Sequence, residues 1–429
     1  MAQTAACLLP FVKNQCCVRT MKPFNSHNEH SGEDTMNISR LKALLGATAL
    51  TIVAASAAQA GGFSRGTADT DILFEEGNAA RAGVTVVQPN RGKDTFKVGG
   101  TTYSMTGFEN PTYVIPSVAA KYKVNDALAC AVTYTTPFGG HSDYTGFKGS
   151  PFPAGYDPTS LTGSSEQEFV THEFGGTCAY GFEAGKGRFS LLGGLFYQTL
   201  DFEQWVGGPA RPLKFSLSDG QVGYRLGAAY EIKEIALRAQ VMYRSATDID
   251  ATGDLSSTAT GNSIGPATGW GKFPQSFEAK VQSGVAPGWL VYGSVKWTDW
   301  SVMDVINYKT PLSPANQTLN FFWQDGWTVT GGVAHAFTES LAGTASVTWD
   351  RGVGTGHDIS TDTWTLGLGA SYKPNSNVEI RGGLGVLFIA AGSQDFRQSG
   401  PGTDIPAPGL FTAESDVGYA GNLSLAIKW

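Results

Sequence analysis

The sequence predicts an all-β protein, a transmembrane antiparallel up-and-down β-barrel of about 14 strands with a short N-terminal plug in its lumen. Three observations predict this fold. Apolar and polar residues alternate with a period of two, tight turns alternate with long loops, and an alternating segment leads to Trp429. A closed sheet can cross a bilayer because every backbone N–H and C=O finds a partner within it.

The composition favours strands over helices as the membrane-spanning elements. The 429 residues include 55 Gly and 11% aromatic residues, and their mean hydropathy is -0.12. A helical span needs about 20 consecutive apolar residues, and the body of the sequence contains no such run. The formal net charge of -7 argues against nucleic acid as a partner. We expect no cofactor and no bound metal, because no Cys/His spacing suggests a metal site.

The first 60 residues contain a predicted export signal. From Met36, a short basic segment precedes an apolar segment at residues 44–55 and a small-residue sequence that ends at Ala60. This order is typical of a secretory signal peptide, so we predict that residues 36–60 are a signal peptide cleaved after Ala60. A membrane anchor is the alternative for the apolar segment. Residues 1–35 resemble no export signal, and we expect them to be a non-translated or non-functional extension.

A short segment without alternation follows the predicted cleavage site. Residues 61–81 are too few to form a domain, and a barrel of about 14 strands has a lumen wide enough to leak unless something fills it. We therefore predict that residues 61–81 form a plug, called the hatch, and that residues 82–429 form the barrel. A disordered periplasmic tail is the alternative for the hatch. The residues expected to seat it are Phe63, Phe74, Asn78 and Ala79.

Alternation is clear in residues 223–232, where Tyr224, Leu226 and Tyr230 share one face and Arg225 lies on the other. A soluble sandwich alternates in the same way, so this pattern alone does not place the apolar face against lipid. Tryptophans near predicted strand ends do favour a membrane, because aromatic residues form girdles at bilayer interfaces. They are Trp289, Trp297, Trp300, Trp327, Trp349, Trp364 and Trp429.

Tight turns and long connections alternate along the chain. The predicted tight turns are Asn125-Asp126, Gly185-Lys186-Gly187, Lys233-Glu234, Pro287-Gly288, Thr338-Glu339 and Pro374-Asn375-Ser376. The long loops lie near residues 91–110, 138–166, 204–218, 248–271, 301–319, 352–360 and 392–413. Together they make thirteen connections, which join about fourteen strands. This number is even, as in bacterial single-chain barrels, and the tight turns are expected in the periplasm.

Two of the five cysteines, Cys130 and Cys178, lie in the predicted barrel. They could pair in an oxidising compartment or remain buried thiols, since the strand register cannot be read from the sequence.

Five segments, taken in order, resemble the FadL/TodX family of outer-membrane long-chain fatty acid and hydrocarbon transporters. They are residues 73–83, 124–129, 136–144, 273–301 and 325–329. The first segment lacks the Pro of the family's Asn-Pro-Ala-Gly hatch sequence. The resemblance covers most of residues 61–429 and implies a bacterial outer-membrane channel that takes up hydrophobic small molecules, fatty acids or hydrocarbons, by passive diffusion. It also implies a monomer, surrounded by outer-membrane lipid and lipopolysaccharide. The aromatic Trp429 resembles a signal for the outer-membrane assembly machinery.

The third predicted strand contains residues that weaken a sheet. Pro137 cannot donate to a ladder, and Gly139-Gly140 weakens pairing. In the family, a kink in this strand opens a lateral door, so the resemblance implies a lateral opening at Pro137, Phe138, Gly139 and Gly140. The alternative is that Pro137 only ends a strand.

Two groups of residues are predicted to bind a ligand. They are cations on the inward faces of the predicted strands and the aromatic residues of one short run. Inward cations could meet a ligand carboxylate, although they could equally pair with carboxylates such as Glu231 and Glu278. Aromatic residues could collect an apolar ligand, although an interface position would also explain them. The candidates are Arg225, Arg238, Arg244, Lys280, Phe321, Phe322 and Trp323.

Two other classes of protein remain as alternatives. Residues 62–66 spell Gly-x-Ser-x-Gly, but this motif has meaning only at a strand-to-helix elbow, so we expect no enzyme and no catalytic residue. A general porin or purely structural barrel is the stronger alternative. A porin should keep an open, charged constriction and no hatch, so the position of residues 61–81 distinguishes the two.

Overall fold

The computed structural model describes residues 61–91, 95–98, 100–104, 110–143, 164–206, 213–355, 359–395 and 409–429. The predicted extension and signal peptide, and parts of several long loops, lie outside the described residues.

The described residues form strands joined by turns and three short 3-10 helices. The strands are β1 (Ala79–Gln88), β2 (Thr95–Val98), β3 (Thr101–Ser104), β4 (Tyr113–Lys123), β5 (Leu128–Thr135), β6 (Gly139–Asp143), β7 (Ser164–Ala184), β8 (Gly187–Val206), β9 (Leu213–Ile232), β10 (Leu237–Arg244), β11 (Thr247–Ser257), β12 (Ser263–Phe273), β13 (Ser276–Ala286), β14 (Trp289–Thr298), β15 (Val305–Thr310), β16 (Ser313–Asn320), β17 (Gly326–Ala336), β18 (Leu341–Asp350), β19 (Thr363–Asn375), β20 (Val378–Ile389), β21 (Gly392–Asp395), β22 (Gly409–Ala413) and β23 (Asp416–Lys428). The helices are Thr70–Phe74, Lys233–Ile235 and Trp300–Val302. None of these helices is long and apolar enough to cross a bilayer.

Fourteen antiparallel crossings close into a barrel, which confirms the predicted fold class. Three crossings consist of two strands with a short break between them, namely β5 with β6, β10 with β11, and β12 with β13. The others are β1, β4, β7, β8, β9, β14, β17, β18, β19, β20 and β23. β1 pairs with β23 on one side and β4 on the other, so the wall is continuous where the first and last strands meet. Closure of this kind removes the free edges of the sheet.

The six predicted tight turns all join neighbouring crossings at one end of the barrel, the periplasmic end in the usual orientation. The opposite, outer end carries additional strands. β2, β3, β21 and β22 form a separate four-stranded sheet, and β15 pairs with β16 and β12.

The prediction of a long loop at residues 248–271 is wrong. β11 and β12 occupy nearly all of it, and only residues 258–262 connect them. Here the pattern is inverted, because Ile249 and Leu255 are buried and face the lumen while Asp250 is exposed. This part of the wall meets water outside and an apolar cavity inside, so its polar residues point outward.

Within the membrane band the outward face is apolar, as predicted. On β23, Tyr419 and Leu423 are more than half exposed while Ser424 and Ala426 are buried. On β9, Leu226 is exposed and Arg225 is buried. Trp300 differs from the predicted girdle position, since it is completely buried in the lumen.

The hatch lies inside the barrel. β1 begins at Ala79, so the hatch in the structure comprises residues 61–78. Its 3-10 helix buries Ile72 and Leu73 against small lumen-facing side chains. These are Ala79, Ala119, Ala131, Ala179 and Ala229. Their methyl groups leave the space that the plug fills, and close packing of this kind is sensitive to a change of a single methylene.

Cys130 and Cys178 form a disulfide between β5 and β7. The side chains lie on the outward face, where Val132 and Tyr180 are also exposed. The sequence left open whether the two cysteines form a disulfide or remain free thiols, and the structure contains the disulfide.

Candidate ligand-binding cavity

A cavity of about 510 Å³ occupies the lumen between the hatch and the outer end of the barrel. Part of its lining is aromatic and aliphatic, and part is polar. The apolar side is lined by Phe63, Phe169, Leu200, Phe202, Phe215, Leu217, Ile249, Phe273, Met303, Ile306, Tyr308, Phe321 and Trp323. Ligand pockets commonly have this size range and combine an apolar lining with few polar groups.

Phe63 places the outer end of the hatch in this aromatic cluster. Its ring lies 4.7 Å from the ring of Phe169 and 4.7 Å from that of Trp323, centre to centre. Phe321 lies at 5.6 Å. Pairs at such distances stabilise beyond their buried area, so the hatch closes the inner side of the cavity with an aromatic side chain.

The polar side of the cavity is built by residues of the hatch, β4, β6, β7 and β18. Arg65, Tyr113, His141, Glu168 and Asp350 line it. His141 Nε2 lies 3.0 Å from the Glu166 carboxylate, which can only accept the bond, and Thr328 donates to Asp350 at 2.5 Å.

The wall changes next to the polar side of the cavity. β4 and β5 pair from Lys123↔Ala129 to Ser117↔Thr135. Beyond that point the described part of β6 pairs with β7 alone, while the outer end of β4 pairs with β1. We call the space between residues 113–116 and residues 138–143 the wall gap.

The hatch supplies the backbone partners that β4 does not provide at the wall gap. Arg65 N–H donates to the Pro137 carbonyl and Gly66 N–H to the Thr136 carbonyl, both at 2.8 Å. Gly139 N–H donates to the Phe63 carbonyl at 3.0 Å. The chain at Pro137 therefore pairs with the hatch on the lumen side instead of with its neighbour in the wall.

Two glycines permit this close approach. A Cβ at Gly139 would lie 2.5 Å from the Arg65 guanidinium carbon, and one at Gly140 would lie 3.0 Å from the rings of Phe63 and Phe169. Phe138, between the wall and the cavity, stacks on Phe273 with ring centres 4.9 Å apart. The four residues predicted for a lateral opening thus all contact the hatch or the aromatic cluster.

Charged groups fasten the hatch to the periplasmic end of the barrel. Arg81 of β1 lies between two hatch carboxylates, 2.6 Å from Asp69 and 2.8 Å from Glu75. Lys428 of β23 lies 2.5 Å from the second oxygen of Glu75. Asn78 adds backbone bonds in both directions with Trp429, each 3.1 Å.

These ion pairs predict a pH dependence of hatch docking. Asp71 lies 3.3 Å from Lys280. Burial alone would raise the pKa of Asp71, but Lys280 and two arginines hold that pKa below its ordinary value. Burial opposes ionisation of Glu75 in the same way, and Lys428 and two arginines lower its pKa. Carboxylates with depressed pKa values stabilise the folded state above their ordinary pKa of about 4 and lose that contribution as the pH falls through the lower value.

We therefore expect hatch docking to be constant from neutral pH to about pH 5 and to weaken below about pH 4. Hydrogen exchange of peptides from residues 61–78 at a series of pH values, corrected for the intrinsic exchange rate, measures it. Release of the hatch between pH 7 and pH 5 would contradict this assignment and indicate that a histidine controls docking.

The four predicted lumen cations do not line the apolar cavity. Arg225 and Arg244 both pair with Glu173, the latter at 2.9 Å. Lys280 lies 3.4 Å from Glu278, one of the two carboxylates considered from the sequence. Arg238 lies over the ring of the hatch residue Phe74 at 4.7 Å. Their role as ligand contacts stays a prediction.

Of the three residues in the predicted aromatic run, the outer two line the cavity and the middle one does not. Phe321 and Trp323 line the cavity. Phe322 has a positive φ of 49°, and its carbonyl accepts a bond from Thr355 at 2.7 Å. It is not among the residues that line the cavity.

Most residues of the cavity could not be identified from the sequence. Phe169, Phe202 and Phe215 come from the outer ends of β7, β8 and β9. Alternation could have indicated that Phe215 and Leu217 share a face. Arg65 is part of the Gly-x-Ser-x-Gly sequence at residues 62–66. Ser64 of the same sequence forms an isolated β-bridge with Phe138.

The fold, the apolar outward band and the internal hatch define the class of protein, which is a membrane-spanning β-barrel with a plug in its lumen.

Residues 214–391 match the model of the outer membrane protein transport protein family (OMPP1/FadL/TodX). The FadL/TodX resemblance found in the sequence is thereby confirmed. No curated protein sequence matches the chain.

Solved structures with the same fold include a FadL homologue of Pseudomonas aeruginosa, with 13% identity over 88% of this chain and 98% of that chain and a TM-score of 0.66. The Ralstonia pickettii toluene transporter TbuX has 16% identity over 89% of this chain and 98% of that chain, with a TM-score of 0.56. The Pseudomonas putida toluene transporter TodX has 15% identity over 86% of this chain and 96% of that chain, with a TM-score of 0.54. At these identities the likeness shows the fold.

Proposed function

We propose that this protein is a channel for the uptake of hydrophobic small molecules, long-chain fatty acids or hydrocarbons, by passive diffusion from the outside through the cavity and laterally through the wall gap. One observation carries the proposal. The aromatic cavity reaches both edges of the wall gap, since Tyr113 and Gly139 line it. Apolar surface lowers the free energy of an apolar ligand relative to water, so the cavity favours such a ligand at the place where the wall is unpaired.

The inner lumen favours the lateral route over passage into the periplasm. On the periplasmic side of Phe138, a space of only about 50 Å³ is lined by charged residues. They are Glu173, Arg225, Arg244, Glu278 and Lys296. An apolar ligand gains nothing by entering a charged, hatch-filled lumen, and a route through the wall gap into lipid would avoid that step. The described toluene transporters TbuX and TodX share this fold, which supports a hydrocarbon or similar body as the ligand.

The remaining partners are proposed on the same basis. Lipid and lipopolysaccharide would surround the apolar outward band, the assembly machinery would insert the barrel, and one chain would form one channel. The function requires no catalytic step.

The test compares uptake of labelled toluene and labelled oleate in a deletion strain with and without the protein. The wall-gap variant carries Pro137→Val, Gly139→Val and Gly140→Val. Side chains at the two glycines would displace Arg65 and Phe63, so we expect a folded variant to lose most of the protein-dependent uptake. Gly176→Val with Gly331→Val is the matched control, because a Cβ at either glycine meets nothing within 4 Å.

Each outcome separates the parts of the proposal. Uptake that depends on the protein but is equal in both variants would remove the wall gap from the route. Passage of small sugars without uptake of toluene or oleate would overturn the channel for hydrophobic molecules in favour of a porin.

A further inference from the structure

Arg65 is a buried cation that reaches across the wall gap. It is 7% exposed, and its guanidinium carbon lies 4.4 Å from the centre of the Tyr113 ring on β4. On the other edge, the backbone of Gly139 comes so close that a Cβ there would lie 2.5 Å from the same carbon. The side chain therefore touches both edges of the wall gap and also lines the cavity.

Among the residues that the structure describes, Arg65 is the buried arginine that has no carboxylate partner. Each of the others forms an ion pair, and they are Arg81, Arg91, Arg225 and Arg381. For Arg65, Nε finds no hydrogen-bond partner, and no carboxylate among the described residues lies within ion-pair distance. Glu168 interacts with Arg65 electrostatically, but from beyond ion-pair distance. The Glu168 side chain is 46% exposed and lies beside His141.

A buried guanidinium without a carboxylate beside it in the described part of the chain is unfavourable in this position. Removing a charge from water without a compensating partner destabilises the folded state, and burial lowers the pKa of Arg65 accordingly. A guanidinium still keeps its proton at neutral pH and offers a planar set of donors that matches a carboxylate. The group that would compensate it is an anion brought in by a ligand.

The same cavity presents an apolar surface as well as this cation. The aromatic cluster around Phe169 and Phe215 lines it together with Arg65 and Tyr113. We propose that Arg65 binds the carboxylate of an amphipathic acid whose apolar body fills the aromatic side, and that it makes the channel select such acids over neutral hydrocarbons of the same shape. This inference rests on the proposed function and narrows its ligand class.

The test compares an acid with its neutral ester on the purified full chain in detergent. The probes are 4-phenylbutyrate and methyl 4-phenylbutyrate at pH 7.5, and binding is measured by calorimetry. Hydrogen bonds to charged groups are the stronger ones, so the wild type should bind the acid about tenfold more tightly than the ester. Arg65→Gln should make the two affinities equal, and Arg65→Lys should keep part of the preference for the acid.

Arg188→Gln is the matched control. Arg188 carries the same guanidinium, but it lies at the end of the barrel with the tight turns, is not among the residues that line the cavity, and pairs with Glu183 at 3.6 Å. The ratio of acid to ester affinity should therefore stay at the wild-type value in this variant.

Equal binding of acid and ester by the wild type, or an unchanged ratio in Arg65→Gln, would overturn the role of Arg65. The wild-type comparison decides the matter even where a variant fails to fold. If both probes bind equally, the channel for hydrophobic molecules stands and only the selection of acids falls. If neither probe binds and neither toluene nor oleate is taken up, the proposed function falls as well.

Discussion

Glu75→Gln should release the hatch from its docked position at neutral pH. The carboxylate is 9% exposed and faces Arg81 at 2.8 Å, Lys428 at 2.5 Å and Arg381 at 3.6 Å. A glutamine keeps the shape but leaves these cations without their shared counter-charge. Removing one partner from a buried ion pair costs about 3–5 kcal/mol, which would raise the undocked population by more than a hundredfold.

Hydrogen exchange of residues 61–78 and ion conductance in planar bilayers measure this release, and both should increase. Glu76→Gln is the control, because Glu76 is 85% exposed and its pair with Lys233, 3.4 Å apart, is also exposed. Exposed pairs contribute little, so that variant should resemble the wild type. Equal exchange in Glu75→Gln and the wild type would show that apolar packing around Ile72 alone holds the hatch.

Glu173→Gln should destabilise the barrel itself by a similar amount. Glu173 is 2% exposed. Its side chain accepts bonds from Arg225 and, at 2.9 and 3.0 Å, from Arg244. Both arginines would remain buried without a carboxylate, at a cost of about 3–5 kcal/mol. The temperature at which the purified barrel loses its compact, heat-modifiable mobility in SDS gels should therefore fall.

The control lies on the same strand. Glu183 is 79% exposed and 3.6 Å from Arg188, so Glu183→Gln should leave the transition temperature nearly unchanged. If Glu173→Gln were as stable as the wild type but bound ligand more weakly, the arginines would be ligand contacts, as the sequence suggested. Lower stability with unchanged ligand affinity would show that Arg225 and Arg244 stabilise the barrel and do not contact the ligand.

The barrel could be predicted because its signals are local. A period of two appears wherever one face meets lipid and the other meets the lumen, and turns such as Asn125-Asp126 limit each crossing. The inverted pattern around Ile249 and Asp250 was misread as a loop because the outward face there meets water. Periodicity indicates that faces alternate but does not say which solvent each face meets.

The cavity could be predicted only in part because its residues converge from distant parts of the chain. Phe63, Phe215 and Trp323 meet in space, yet no sequence spacing joins them. Phe321 and Trp323 were found because they form a local run. Arg65 was not found, because its burial and the lack of a neighbouring carboxylate among the described residues are visible only in three dimensions.

The seam between β1 and β23 joins closure of the wall to docking of the plug. The chain leaves the lumen at Asn78 and enters β1 at once. Asn78 bonds to Trp429 in both directions, and the Lys428 ammonium reaches back to Glu75. The groups that hold the plug are therefore complete only when β23 is paired with β1. A barrel that opened at this seam would lose its plug contacts together with its wall.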